Sequence, residues 1–240
     1  MEDFVKKFLI ILMSIAVIAA AFSATPLFNI SEINFKGGER YSKEEILRYS
    51  KITEGMNIFR INAKKISKTL QEEAYIKSAD IKIQYPDKVN ITIKERKARG
   101  YVPYIGTYLY IDEEGMVLES ASSYKERLPI VEGLEFDKFK VGQVLEIDNK
   151  EAFDIVLKTS NILIKYSDMY EIEDILKIDV SDIKNIHIYM RNVDVQLGNS
   201  NDYDEKIRIM LTIMQKIPEQ DKGVLDIRDI NKSWIFEYLT

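Results

Sequence analysis

From Phe8 to Ser31 the chain carries no charged residue, and beyond that run polar and apolar positions interleave to the C-terminus. Phe8–Ala21 is apolar apart from Ser14, and Phe22, Leu27 and Phe28 extend the run to the roughly 20 residues that a helix needs to cross a bilayer core. Lys6 and Lys7 stand before the run, and the first charge after it is Glu32. Because cationic flanks stay inside, residues 1–7 are expected in the cytoplasm, residues 8–28 in the membrane, and the remainder outside. Ala19-Ala20-Ala21 offers a competing expectation, a cleaved signal peptide. The uncleaved anchor is the favoured reading, and either one exports the body.

Directly after the run, Ile33 and Phe35 alternate with polar residues up to Gly37-Gly38, which predicts a strand and a turn. Ser42 with Glu45 three residues later is a capping box that opens a short helix with Ile46 and Leu47 inward. Gly55 closes that region, and Asn62 caps a second helix carrying Ile66 and Leu70 one turn apart. Ile81 and Ile83, then Val89, Ile91 and Ile93, alternate with polar residues on either side of Tyr85-Pro86-Asp87-Lys88, a hairpin with one apolar face. The order is strand, helix, helix, strand, strand, with two helices covering one face of a small sheet.

The second half repeats the mixture. Tyr108–Asp112 and Gly115–Leu118 read as a hairpin with Glu113-Glu114 in its turn. Phe153, Val156, Leu157, Leu163 and Ile164 keep a helical period within 152–166, and Ile207, Met210, Leu211, Met214 and Ile217 do so within 204–217. Ile186–Tyr189 and Val193–Leu197 predict paired strands ending at Gly198. The fold class expected is α+β, with a transmembrane helix, a small unit and a mixed α/β domain built on a largely antiparallel sheet.

Composition narrows the function. Hydrophobic residues are 46% and charged residues 30% of 240, so the body can bury a core. A net charge of −5 argues against a nucleic-acid partner, which calls for a basic face. With no cysteine there is neither a disulfide framework nor thiol chemistry outside the cell. The one histidine, His187, sits between Ile186 and Ile188 and reads as a satisfied or solvent-facing strand residue. No nucleophile elbow or phosphate loop is present. The acidic clusters at 113–114 and 171–174 lack the order of a calcium loop. The chain therefore reads as non-enzymatic, with no cofactor, metal or small-molecule substrate, and as working by contact.

Several short stretches carry a family resemblance: Phe28–Ile33 leading into Gly37-Gly38, Ser42–Ile46, Gly55–Phe59, Tyr75–Ala79, Tyr85-Pro86-Asp87 and Glu95-Arg96. In this order behind an anchor they resemble a POTRA domain of the FtsQ/DivIB cell-division proteins, placed at 29–97. Leu128–Leu134 and Gly223–Arg228 resemble that family's Leu-Pro-x-x-x-Gly-Leu segment and its closing Asp-Leu-Arg strand, placing an FtsQ-type β domain at 98–240. Lys97-Ala98 stand where the family usually has a proline.

The resemblance implies a divisome scaffold at the septum, a single-pass protein of the cell (inner) membrane that bridges early and late division proteins. It also implies capture of small coiled-coil division proteins, FtsB/DivIC-like and FtsL-like, by strand addition. Carried over residue by residue, the receiving strand is Asp226–Asn231 continuing through Trp234, and the implied contacts are Asn199, Arg228, Asp229, Ile230, Asn231, Ser233 and Trp234. Independently, Trp234, Phe236 and Tyr238 alternate with Ile235, Glu237 and Leu239, which predicts a final strand with an aromatic face and open backbone groups at a sheet edge. Two other readings compete: a POTRA-type chaperone of envelope protein export, and a wall hydrolase with an unmarked carboxylate pair.

Overall fold

The computed structural model describes residues 2–123, 127–232 and 234–239, and the chain divides after Glu95 into two compact units. The first opens with helix α1, Glu2–Ser23, long and apolar enough to cross a membrane. Its ends differ from the 8–28 expected. Nothing in Asp3–Lys7 breaks a helix, so residues assigned to a tail are helical from Glu2 onward. At the other end Pro26 disfavours helical backbone in the residue before it, and Thr25 is extended, at φ −69° and ψ 154°. Leu27 and Phe28 therefore lie on a separate 3-10 turn, Pro26–Phe28, and α1 spans about 33 Å at 1.5 Å per residue.

The rest of this unit is β1 (Glu32–Lys36), α2 (Lys43–Ser50), α3 (Ala63–Leu70), β2 (Ile76–Gln84) and β3 (Lys88–Glu95). The strands form one sheet in the order β1-β3-β2, with β1 parallel and β2 antiparallel to β3. Both predicted caps are in place: the Ser42–Glu45 box on α2, and Asn62 Oδ1 accepting from the Lys65 N–H at 3.0 Å on α3. Ile46, Leu70, Ile76, Val89 and Ile91 are completely or almost completely buried in a common core. At the end of β3 the Glu95 carboxylate accepts the backbone N–H groups of Glu39, Arg40 and Tyr41, at 2.9, 3.0 and 3.0 Å, and so pins the loop that follows the two glycines.

The second unit is β4 (Gly100–Tyr104), β5 (Thr107–Ile111), β6 (Val117–Ala121), β7 (Ile130–Glu132), α4 (Lys150–Lys165), β8 (Ile175–Asp179), β9 (Ile186–Met190), β10 (Val193–Gly198), α5 (Tyr203–Met214), β11 (Gly223–Asp226) and β12 (Ile235–Tyr238). They form a nine-stranded sheet in the order β12-β11-β10-β9-β8-β7-β4-β5-β6. The pairs β4–β7, β7–β8 and β10–β11 are parallel and the remaining neighbours antiparallel.

Two β-α-β crossovers, β7-α4-β8 and β10-α5-β11, step the same way between strands that run the same way. Right-handed connections then put both helices on one face. They meet there: Thr159 Oγ1 and Tyr203 Oη lie 2.9 Å apart, fully buried. The predicted stripes Phe153, Val156, Leu163 and Ile207, Met210, Leu211, Met214 join Ile178, Ile188 and Val195 of the sheet in one core.

The β5–β6 turn is held by a buried carboxylate. Asp112 Oδ1 accepts the Glu114 and Met116 N–H groups, each at 2.9 Å, while Oδ2 accepts from Arg96 Nη1 at 2.6 Å. Gly115, at φ +76°, completes the turn; a Cβ there would stand 2.3 Å from the Phe153 ring.

Candidate partner-binding edge

Within the described residues β12 is the outermost strand at one side of the large sheet, and its pairing tells which backbone groups are unused. Gly223 and Ile227 send their N–H groups inward to β10, to Asn192 O and Gln196 O. The Leu239 N–H donates to Lys222 O at 2.9 Å on the other side. Antiparallel bonding alternates by residue, so Ile235, Glu237 and Leu239 bond to β11, whereas Phe236 and Tyr238 direct N–H and C=O outward. Phe236 holds the strand in place: its ring is half-buried against the core, lies over Gly223, and meets the Tyr238 ring edge-on at 4.7 Å. Trp234, Ile235 and Tyr238 are about half exposed or more.

The strand expected over Asp226–Trp234 is not continuous. β11 stops at Asp226, residues 227–232 turn, and β12 begins at Ile235, so β11 is flanked by β10 and β12 and is not an edge. The cause lies in short acidic side chains that bond their own backbone two residues on. Asp226 Oδ1 accepts the Arg228 N–H, and Asp229 Oδ1 accepts the Asn231 N–H, both at 3.0 Å. Arg228 also forks onto Asp226, with Nε at 3.0 Å and Nη2 at 2.6 Å, and this hydrogen-bonded pairing holds the Asp226 carboxyl below its usual range. The Asn231 N–H lowers Asp229 likewise, helped by Lys232 Nζ at 3.2 Å. Asp226, Arg228, Asp229, Lys232 and Ile235 line an open cleft, while Ile230 is turned toward the core. Of the expected contacts, Ser233 lies outside the described residues.

Asn199 is brought to the same end of the sheet. Gly198, at φ +67°, lets the chain leave β10 beneath Arg228, whose Cβ and Cγ would lie 3.2 and 3.1 Å from a Cβ there. Below this loop sits Lys206, 2% exposed, its Nζ donating to Leu197 O at 2.8 Å and Asn199 O at 3.1 Å. Burial pushes this amine below its ordinary value, with Asp202 and Asp229 opposing. Sequence reading passed over Lys206. The signal was there, because it falls one turn after Tyr203 and one turn before Met210, inside the buried stripe of α5.

The one histidine lies away from this edge on β9. His187 lies 2.7 Å from Asp194 Oδ1 through Nδ1 and 2.9 Å from Asn185 Nδ2 through Nε2, so both ring nitrogens are engaged. Among the described residues no cluster of three or more acidic or histidine side chains is placed to hold a metal ion.

Two family models match the chain in tandem: "POTRA domain, FtsQ-type" over residues 28–96, and "Cell division protein FtsQ/DivIB, C-terminal" over residues 101–228. The second alone covers more than half of the sequence. The chain belongs to the FtsQ/DivIB family. Similar proteins include the cell division protein DivIB of Clostridium botulinum strain Hall, 28% identical over 229 residues, which are 93% of this chain and 88% of that one. DivIB of Clostridium acetobutylicum is 27% identical over 84% of this chain and 80% of its own, and DivIB of Bacillus subtilis is 26% identical over 91% and 78%. This FtsQ/DivIB chain is thus a cell-division protein whose partners are proteins of the division complex. Its apolar α1 fits a membrane-anchored member of that complex.

Proposed function

We propose that this FtsQ/DivIB chain is a non-catalytic scaffold at the division septum, retaining α1 as its single membrane anchor. Residues 1–7 face the cytoplasm, and both folded units lie on the outer side. It bridges early division proteins to the later wall-synthesis machinery and captures a segment of small coiled-coil proteins of the FtsB/DivIC and FtsL kind. Capture is by strand addition, and the observation that supports it is the outward-facing backbone of Phe236 and Tyr238 on β12. A partner strand satisfies those groups, while side chains beside it select. Arg228, Asp229 and Asn231 in the turn, with Asn199 and Trp234, supply that selection. Ser233, between Lys232 and Trp234 in sequence, belongs to the same proposed set.

The alternation makes the test specific. Proline at 238 removes an N–H aimed at the partner and leaves the β11 ladder intact; proline at 237 removes one aimed at β11. In co-purification from detergent-solubilised membranes, Tyr238→Pro is expected to lose the coiled-coil partners while Tyr238→Val, which keeps the N–H, retains them. Full capture by Tyr238→Pro in a folded chain would overturn strand addition at this edge.

A further inference from the structure

In the folded part of the first unit, exposed large apolar residues gather at one place. Among the described residues beyond α1 and up to Glu95 they are Leu27, Phe59 and Tyr85, exposed by 55%, 51% and 60%. They come from three separate segments: the 3-10 turn after α1, a second 3-10 turn at Ile58–Arg60, and the β2–β3 turn. Ring contacts nevertheless join Phe59 and Tyr85 to the apolar helix, and Leu27 directly precedes Phe28, a member of that chain of rings. Phe22 of α1 meets Phe28 at 5.4 Å, Phe28 meets Phe59 at 5.0 Å, and Phe59 meets Tyr85 at 5.7 Å.

The helix end is fastened to the unit rather than strung from it. Asn57 Nδ2 donates to Ser23 O at 2.8 Å, Asn29 and Asn57 form an isolated antiparallel bridge, and the Ile30 N–H donates to Met56 O at 2.8 Å. A scattered exposed apolar residue needs no explanation, but a run of aromatics continuous with an apolar helix does.

We propose that Leu27, Phe59 and Tyr85 form a lipid-docking face, which seats the POTRA unit on the boundary between headgroups and acyl chains where α1 leaves the bilayer. The inference rests on α1 spanning the membrane. Continuity with α1 fixes the depth: the chain of rings starts at Phe22, in the last turn of the helix. Aromatic side chains favour that boundary because the ring is apolar and, for tyrosine, the hydroxyl stays wet. Arg60, exposed beside Phe59, places a cation at the level of lipid phosphates with its stem along the apolar face. The carboxylate of the same β2–β3 turn, Asp87, is engaged by Ser31 Oγ at 2.5 Å.

The test uses the full chain in vesicles of phosphatidylcholine and phosphatidylglycerol with brominated acyl chains. Trp234→Phe removes the sole tryptophan, and single tryptophans are introduced as Phe59→Trp, Tyr85→Trp, Ile15→Trp in mid-helix, and Lys94→Trp at the far end of β3. Emission from positions 59 and 85 is expected to shift to the blue and to lose intensity to bromine, less than position 15 and clearly more than position 94. Positions 59 and 85 behaving like position 94, with position 15 quenched, would overturn the docking face while leaving the anchor. An unquenched position 15 would remove the anchor itself. A blue shift at 59 and 85 without bromine quenching would assign the face to a protein contact, such as a second copy, and also overturns the proposal.

Discussion

Replacing Asp112 with alanine strips the β5–β6 turn of the acceptor that organises it. The side chain is wholly buried and takes three donors: the Glu114 and Met116 N–H groups on Oδ1, and Arg96 Nη1 on Oδ2. Arg96, 11% exposed, keeps Glu114 Oε2 at 2.6 Å, so its charge is not left wholly unpaired. The two amides are part-buried, so each is taken at the low end of the about 1–3 kcal/mol that an unsatisfied buried donor costs. Losing one partner of a buried charged pair costs about 3–5 kcal/mol, part of which is recovered because no carboxylate then needs desolvating. A net loss of about 4 kcal/mol is expected for the second unit. With a urea slope of about 2 kcal/mol per molar, the midpoint falls by about 2 M.

Asp112→Asn separates the contributions. It keeps an oxygen for both amides but turns an NH2 toward the guanidinium, and about half the loss is expected. Trp234, the sole tryptophan, lies in this unit and reports its unfolding in a urea titration. A midpoint for Asp112→Ala within 0.3 M or so of the parent would refute the assignment of Asp112 as the organiser of the turn. Equal losses in the two variants would show that the amides contribute nothing.

Two further outcomes follow from single groups. Because burial depresses Lys206, the unfolded chain holds its proton more tightly than the native one, so stability rises as pH climbs from the native value toward the ordinary 10.5. Tyr170 and Tyr203, both pushed up to about 12 by burial, act oppositely above pH 10, so the measurement is the difference between parent and Lys206→Met unfolding profiles. Parallel profiles would show that Lys206 does not titrate differently on folding. In the first unit, Glu95→Ala releases three backbone N–H groups of the 39–41 loop and should cost about 1–2 kcal/mol, since water replaces part of what is lost. Hydrogen exchange at residues 39–41 should quicken markedly; unchanged exchange there would refute the clamp.

Local patterning carried most of this fold. Alternation over Ile81–Ile93 and the caps at Ser42 and Asn62 are properties of a few consecutive residues, and each produced the element it predicts. The strand order of the large sheet is a matter of distant pairing and could not be read the same way; β7 and β4 lie side by side although the β5–β6 hairpin separates them in sequence. The outer strand of the large sheet was legible in part. Ile235–Tyr238 is, within the described residues, the outer strand that the aromatic alternation suggested, whereas the longer strand over Asp226–Trp234 implied by the family resemblance is broken by a turn. Asp229 and Asn231 carry the contrary signal, an acidic side chain two residues before its N–H partner, which favours a turn. Lys206 stayed hidden because burial of a lysine depends on carbonyls from another element.

The bond from Asn57 to Ser23 O has a rotational meaning. An α-helix turns about 100° per residue, so a helix whose last turn is fastened to a folded unit shows each of its sides in a fixed compass direction relative to that unit. Inserting one residue in the middle of α1 keeps its apolarity and nearly its length, yet swings everything N-terminal to the insertion by more than a quarter turn. A borrowed anchor of equal hydrophobicity but different phase would hold the protein at the membrane while pointing its N-terminal residues at the wrong neighbours. With α1 retained as the proposed anchor, it acts as a keyed shaft whose sequence carries angular as well as hydrophobic information.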